Sequence, residues 1–282
     1  MQKLTYNIAD IPISVELPFE LHISAESHPF LKDGDTDMGE QIRVTAVDAL
    51  PPVPANGIWH QDRCFMGEAF HIRSRPGKAP YAVVEYREAG NVRISYLRDS
   101  GEMIPESRYL MNMLCLESLL LRHGGLILHA AFIRWQGQGI LFSAPSGTGK
   151  STQAQLWQQY MGAEILNGDR AAIRNRNGIW TAYGLPYAGT SHIYRNTSAP
   201  IRAIVILRQA PQNRIRPLPV SEALRALLPE ITAHRWDPSF MEKMLDMLAQ
   251  LLQQVPAYCL ECRPDHSAVQ LLKRSLYDLN PG

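Results

Sequence analysis

Residues 139–160 run from an apolar segment, Gly139-Ile140-Leu141-Phe142-Ser143, through the turn Ala144-Pro145-Ser146-Gly147-Thr148-Gly149-Lys150-Ser151, into a helix-forming stretch from Thr152 to Tyr160. No other stretch constrains the fold as tightly. A glycine-rich turn between a buried strand and a helix N-terminus aims several backbone N–H groups at one point, where the helix dipole adds positive potential. Gly147 and Gly149 let the backbone wrap phosphate oxygens without a side chain in the way. Lys150 supplies a mobile positive charge for β- and γ-phosphates, and Ser151 a hydroxyl for Mg²⁺. The nucleotide-binding segment is therefore Ser146, Gly147, Thr148, Gly149, Lys150, Ser151 and Thr152. The pattern G-x-x-x-x-G-K-S/T asks for glycine at position 144, where this chain has Ala144.

A chain of 282 residues can bury a large core and is long enough for two domains. Hydrophobic residues make up 45% and charged residues 20%, the ordinary globular range. A formal net charge of +1 gives no general argument for nucleic acid or an anionic membrane as partner. No apolar run reaches the ~18 residues that a bilayer span needs. The first residues, Met1 to Asn7, lack the apolar core of a secretion signal. These features lead us to expect a cytoplasmic protein. The four cysteines include Cys259 and Cys262 in a C-x-x-C, but no second pair stands at zinc spacing. On a strand, positions three apart face opposite ways, so buried thiols are the expected reading.

The first hundred residues read as β-rich, with strands at 42–47, 68–73, 81–87 and 91–97, the last two joined as a hairpin through Ala89-Gly90-Asn91. The acidic stretch Asp33-Gly34-Asp35-Thr36-Asp37 has the spacing of a calcium loop without its later Glu or flanking helices, and reads as a solvated turn. Apolar spacing predicts one helix over 107–123, ended by Gly124-Gly125. Beyond it, strands and helices alternate. Strands are expected at 126–129, 131–135, 163–167, 201–207 and 258–262, and a hairpin about Asn177-Gly178. Helices are expected at 221–228 and 238–254, with a last one capped by Asp265. This is an α/β pattern with a mixed sheet over 106–282, preceded by a β-rich domain over 1–105.

Three further places bear on the reaction. Asn167-Gly168-Asp169 ends an apolar strand, and Asp169 follows Lys150 by 19 residues. That interval lets the strand lie beside the loop strand, with its carboxyl end at the edge where open α/β sheets bind ligands. Asp169 is then placed to bind Mg²⁺ or to take a proton from an acceptor hydroxyl. Arg170, beside it, can steady a transferred group or simply follow the strand at the surface. His129 stands 21 residues before Lys150, where a lone histidine on an apolar strand is more often a hydrogen-bonded core residue. The segment Tyr183 to Ser191, with two glycines, a proline and hydroxyls, reads equally as an acceptor loop, a cover over the phosphates, or a turn.

Taken together, His129-Ala130, Ser146-Gly147-Thr148-Gly149-Lys150-Ser151 and Asn167-Gly168-Asp169 resemble the kinase domain of HPr kinase/phosphorylase, a fold related to phosphoenolpyruvate carboxykinase. The resemblance covers roughly residues 125–210. Asn167-Gly168-Asp169-Arg170 and Gly184-Leu185-Pro186 are similar to divergent HPr-kinase-like proteins found with peptide-modification systems. Such a relationship implies a P-loop kinase domain with ATP and Mg²⁺, Lys150 and Ser151 holding the triphosphate and metal, and Asp169, assisted by His129, activating a hydroxyl for attack on the γ-phosphate. It implies as acceptor a serine or threonine of a peptide or carrier protein, or a small-molecule hydroxyl, and leaves homo-oligomers open. Two departures stand out. Gly168 occupies a place where the family has a second Asp, and Ala130 replaces the glycine of its His-Gly. A nucleotide-dependent binding module without phosphotransfer is the alternative reading.

Overall fold

The computed structural model describes residues 1–34, 38–99, 106–187 and 189–278; Asp35-Thr36-Asp37 of the acidic stretch and Ala188 lie outside the described residues. The chain divides into two compact units, Met1–Leu116 and Glu117–Gly282. Mixed sheets and short to medium helices make it an α/β protein. Among the described residues no helix is long and apolar enough to cross a membrane.

The first unit is a mixed sheet. Its strands are β1 (Gln2–Ile8), β2 (Ile11–Leu17), β3 (Leu31–Lys32), β4 (Glu40–Val47), β5 (Ile58–His60), β6 (Arg63–Met66), β7 (Ala69–Ile72), β8 (Ala82–Tyr86) and β9 (Asn91–Leu97), in the spatial order β3-β1-β2-β4-β9-β8-β7-β6-β5. β4 runs parallel to both β2 and β9, and the other pairs are antiparallel. The four strands read from the sequence are present as β4, β7, β8 and β9. The β1–β2 hairpin was not legible, because its turn places Ala9 (φ 52°) and Asp10 (φ 58°) in left-handed conformations without a glycine to announce it. The helix expected over 107–123 is two: α1 (Ser107–Met113) and α2 (Leu116–Arg122). Cys115 adopts φ 46°, which no helix can continue through, and the Tyr86 phenol donates to the carbonyls of Leu114 and Cys115.

The second unit contains β10 (Gly125–Trp135), β11 (Gln138–Ser143), α3 (Lys150–Met161), β12 (Glu164–Asn167), β13 (Arg170–Arg176), β14 (Ile179–Gly184), β15 (Ser198–Gln209), β16 (Arg214–Pro217), α4 (Val220–Leu227), α5 (Pro238–Gln254), β17 (Ala257–Cys262) and α6 (His266–Lys273). The two strands expected at 126–129 and 131–135 are one long strand, β10. Its first half pairs with β13 and its second half with β11 and β12. β15 is shared in the same way: its start pairs with β14, and its remainder runs parallel to β11 and β17. Hydrogen bonding therefore closes a ring, β11-β10-β13-β14-β15 and back to β11, where an open sheet had been expected. β12 lies next to β10 and not beside β11, one strand further out than the spacing suggested, yet β12 and β11 are both antiparallel to β10. Their carboxyl ends share one edge.

Side-chain alternation builds a core on each face. Phe132 of β10, Leu141 of β11 and Ile204 and Ile206 of β15 pack toward α4 and α5. Ile133, Phe142, Val205 and Leu207 pack toward α3 and α6, where Trp157 is fully buried with its ring 5.6 Å from Trp135 and 6.5 Å from Phe142. α5 buries Phe240, Met244, Leu248, Leu251 and Leu252 along one stripe, each contributing roughly 1.5–3 kcal/mol. Its start is set by Asp237, whose carboxylate accepts from the Ser239 and Phe240 amides at 3.0 and 3.1 Å.

Candidate functional site

The glycine loop leaves β11 at Ser143 and enters α3 at Lys150. Ala144 is buried in the core beside α3 and has no left-handed backbone, so its methyl fills space that a glycine would leave empty. Gly147 (φ 79°) and Gly149 (φ 117°) do need their conformations, and nothing lies within 4 Å of where a Cβ would stand on either. The loop thus presents open backbone at the start of α3. Ser146, Gly147, Ser151 and Thr152 are exposed there, and Thr148 is half-buried. Lys150 is buried; its Nζ donates to the carbonyls of Ala144 at 2.8 Å and Pro145 at 3.4 Å. Burial pushes its pKa below the ordinary lysine value, opposed by the nearby charges of Glu230 and Asp169.

Those two carboxylates frame His129. β10 places His129 opposite Arg170 in the β13 register, and the Ala130 amide donates to the Asp169 carbonyl at 2.9 Å. Asp169 Oδ1 then lies 3.6 Å from His129 Nε2. On the other side, His129 Nδ1 is 2.8 Å from Glu230 Oε2. A carboxylate only accepts, so Nδ1 donates to Glu230, while Nε2 faces Asp169. Glu230 was not read from the sequence. It is delivered by a short backbone pairing, with Leu128 bridged to Ile231 and the Thr232 amide donating to the Ile127 carbonyl at 2.9 Å. Nothing in the local pattern around Glu230 signals that long-range pairing. The Ser143 hydroxyl donates to the His129 carbonyl at 3.1 Å, tying the end of the loop strand to this cluster.

Asn167 shapes the turn that carries Asp169. Fully buried, it accepts with Oδ1 from the Asp169 and Arg170 amides at 2.9 and 3.0 Å, and donates with Nδ2 to the Leu185 and Tyr187 carbonyls at 3.0 and 2.8 Å. Leu185 and Tyr187 are thereby tied to the turn that carries Asp169. Arg170 lies with Nε 3.4 Å from Asp169 Oδ2 and its guanidinium 5.9 Å from the Tyr187 ring. Gly168 answers a different need: a Cβ there would stand 2.3 Å from Ser191 Oγ. A second Asp at this place, which the HPr kinase resemblance would ask for, is excluded by Ser191.

The structure thus gathers His129, Lys150, Asp169 and Arg170 at one edge and adds Glu230. Cys259 and Cys262 are buried free thiols, their pKa values raised by burial, as the spacing argument expected. Two clefts flank the loop. One, about 600 Å³, lies on the α3/α6 face and is lined by Gly149, Gln153, Leu207 and Cys262 among others. The second, about 630 Å³, lies on the α4 face against Ser146, Ile206, Arg208 and Ala226. Gln209 stands between them, its Nε2 3.4 Å from the carbonyls of Gly147 and Thr148.

No curated protein matches the chain. Among solved structures, the Hpr(Ser) kinase/phosphatase from Coxiella burnetii is similar over 53% of this chain and 95% of its own length, at 11% identity and a TM-score of 0.32, a likeness too slight to argue from. The family model described as "SynChlorMet cassette protein ScmC" matches residues 106–264, more than half of the chain. The protein belongs to the ScmC family of SynChlorMet cassette proteins.

Proposed function

We propose that this protein is an ATP-dependent kinase that transfers the γ-phosphate to an alcohol, the hydroxyl of a serine or threonine on a peptide or carrier protein, or of a small molecule. The observation that carries this reading is the contact of His129 with both Asp169 and Glu230 beside the buried Lys150 at the glycine loop. Open backbone at Gly147 and Gly149 and an ammonium hydrogen-bonded to neutral carbonyls suit a triphosphate. In this reading Ser146 to Thr152 hold the phosphates, and Ser151 and Asp169 hold Mg²⁺. The metal supplies neutralisation of charge on the β- and γ-oxygens.

The chain's own residues do the rest by positioning and electrostatics. Glu230 fixes the His129 ring, and His129 orients Asp169. Asp169 takes the proton of the acceptor hydroxyl as its oxygen forms a bond to Pγ. The bond from Pγ to the β–γ bridging oxygen breaks, and its electron pair leaves with ADP. Lys150 offsets the charge that develops there. Any peptide or carrier encoded beside this chain is the first acceptor to try.

Transfer of label from γ-labelled ATP with Mg²⁺ tests the reading. Asp169→Asn should lower transfer by roughly 10²–10⁴-fold while ATP binding is largely kept, and Lys150→Ala should lose both. Undiminished transfer by Asp169→Asn would falsify the base assignment. A second reading, nucleotide-dependent binding without transfer, draws on the exclusion of a second carboxylate at Gly168. ATP-dependent capture of a partner with no labelled acceptor would favour it.

A further inference from the structure

We propose that the polar face of the first unit's sheet is a docking site for an extended acidic peptide, in which Arg93, supported by Arg43 and Arg87, takes a carboxylate side chain. The inference stands apart from the phosphotransfer reading, because it needs neither nucleotide nor the glycine loop. Strand register carries it. Glu16 of β2, Arg43 of β4, Arg93 of β9 and Glu85 of β8 follow one another across the sheet, each opposite the next. Opposed residues project to one face, and the alternation along the strands agrees. Ile42, Val44, Val92 and Ile94 are buried on the other face, while Arg43 and Arg93 are exposed. Two guanidinium side chains thus stand on directly opposed positions of neighbouring strands, an arrangement that costs stability unless anions offset it.

The nearby carboxylates are already engaged. Glu16 Oε2 accepts from Arg43 Nε at 2.9 Å. Glu85, which the register sets opposite Arg93, is held instead by Arg87, whose Nη2 lies 3.4 Å from each of its oxygens. The Arg93 guanidinium is left without an ion pair or hydrogen bond among the described residues. It lines a cleft of about 640 Å³ together with Gln41, Arg43, Arg87 and Asn91, a volume in the range of ligand sites. An arginine fork pairs with a carboxylate through two parallel hydrogen bonds, the strongest and most directional contact this cleft offers. In the next row Asn91 stands opposite Gln41; its Nδ2 donates to the Glu88 carbonyl at 3.2 Å, and its Oδ1 can accept from a peptide N–H. Glu16, Glu85 and Glu88 stand around the arginines and repel a continuous polyanion. Single carboxylates spaced along an extended chain therefore fit here better than nucleic acid or an anionic membrane.

Fluorescence anisotropy with the full chain, in the absence of nucleotide, tests the site with labelled probes. These are a short peptide of alternating Gly and Glu, the same peptide with Gln for Glu, and an oligothymidylate of similar length. The Glu peptide should bind about tenfold or more tightly than the Gln peptide. Arg93→Gln should weaken the Glu peptide by about tenfold or more, while Tm stays level or rises slightly because a like-charged neighbour is gone. Arg98→Gln, which removes an exposed guanidinium paired with Asp48 outside the cleft, should leave binding within about twofold. Equal binding of the Glu and Gln peptides, undiminished binding by Arg93→Gln, or no binding of the Glu peptide at millimolar concentration overturns the site. Tighter binding of the oligonucleotide than of the Glu peptide at physiological salt overturns the peptide as occupant and points to nucleic acid. Every result is read without ATP, so the kinase reading stands or falls separately.

Discussion

Two residues fix the geometry around His129, from opposite directions in the sequence. Asn167 is close by and uses both ends of its amide to hold the Asp169 turn and the segment beyond it. Glu230 is remote and holds the imidazole from behind. Glu230 should act by positioning, through His129, and not on the substrate. Glu230→Gln preserves an acceptor for Nδ1 but removes the charge. It should lower kcat by roughly ten- to a hundredfold with little change in the KM for ATP, a smaller loss than removal of a proton acceptor itself. Steady-state kinetics check this; a change confined to KM would show that Glu230 serves ATP binding instead. Asp169 and Lys150 could be marked from the sequence because motif spacing carries them. Glu230 could not, since its place depends on the pairing of Ile231 with Leu128.

At the level of elements, α6 gives a pH-dependent test. The Ser267 hydroxyl holds the Asp265 carboxyl down at about 2, against the opposing effect of burial and with help from the Asn213 amide, the Ala268 N–H and Arg263. A carboxylate with a depressed folded-state pKa stabilises fully above its unfolded value near 4 and loses that contribution as pH falls through about 2. Asp265→Ala should therefore cost about 1 kcal/mol at neutral pH, a fall in Tm of ~2–4 °C, and the gap from wild type should narrow between pH 4 and 2 in thermal melts followed by circular dichroism. This cap was legible in the sequence, as was the Asn177-Gly178 hairpin, in which Asn177 (φ 53°) and Gly178 (φ 86°) supply the required turn. Such features are local, and their residue types carry their own conformational preference. The β1–β2 turn opens on Ala9 and the helix break falls on Cys115, residues with no such preference, so the surrounding structure specifies them. Ring closure was illegible for a third reason: β10 and β15 each change partners midway, and the partner of each half is set by strands distant in the chain.

For the whole molecule, division into two compact units leads us to expect two cooperative transitions. In differential scanning calorimetry, ATP with Mg²⁺ at about 100 times its Kd should add ~2.7 kcal/mol to the unit holding the glycine loop. At ~2–4 °C per kcal/mol, that transition should rise by about 5–10 °C while the other stays in place. A single transition that moves as a whole would show that the units unfold together. The closed ring in the second unit also sets an order of assembly on the ribosome. β11 and the glycine loop are synthesised early, but the strand that covers the free edge of β11 is not complete until Gln209, and Glu230 and β17 come later still. Until then the nascent chain carries an apolar strand with an unpaired edge, the condition under which chains pair wrongly with one another. A message cut short before β15 would yield a chain that contains the whole loop motif but cannot close the sheet that supports it.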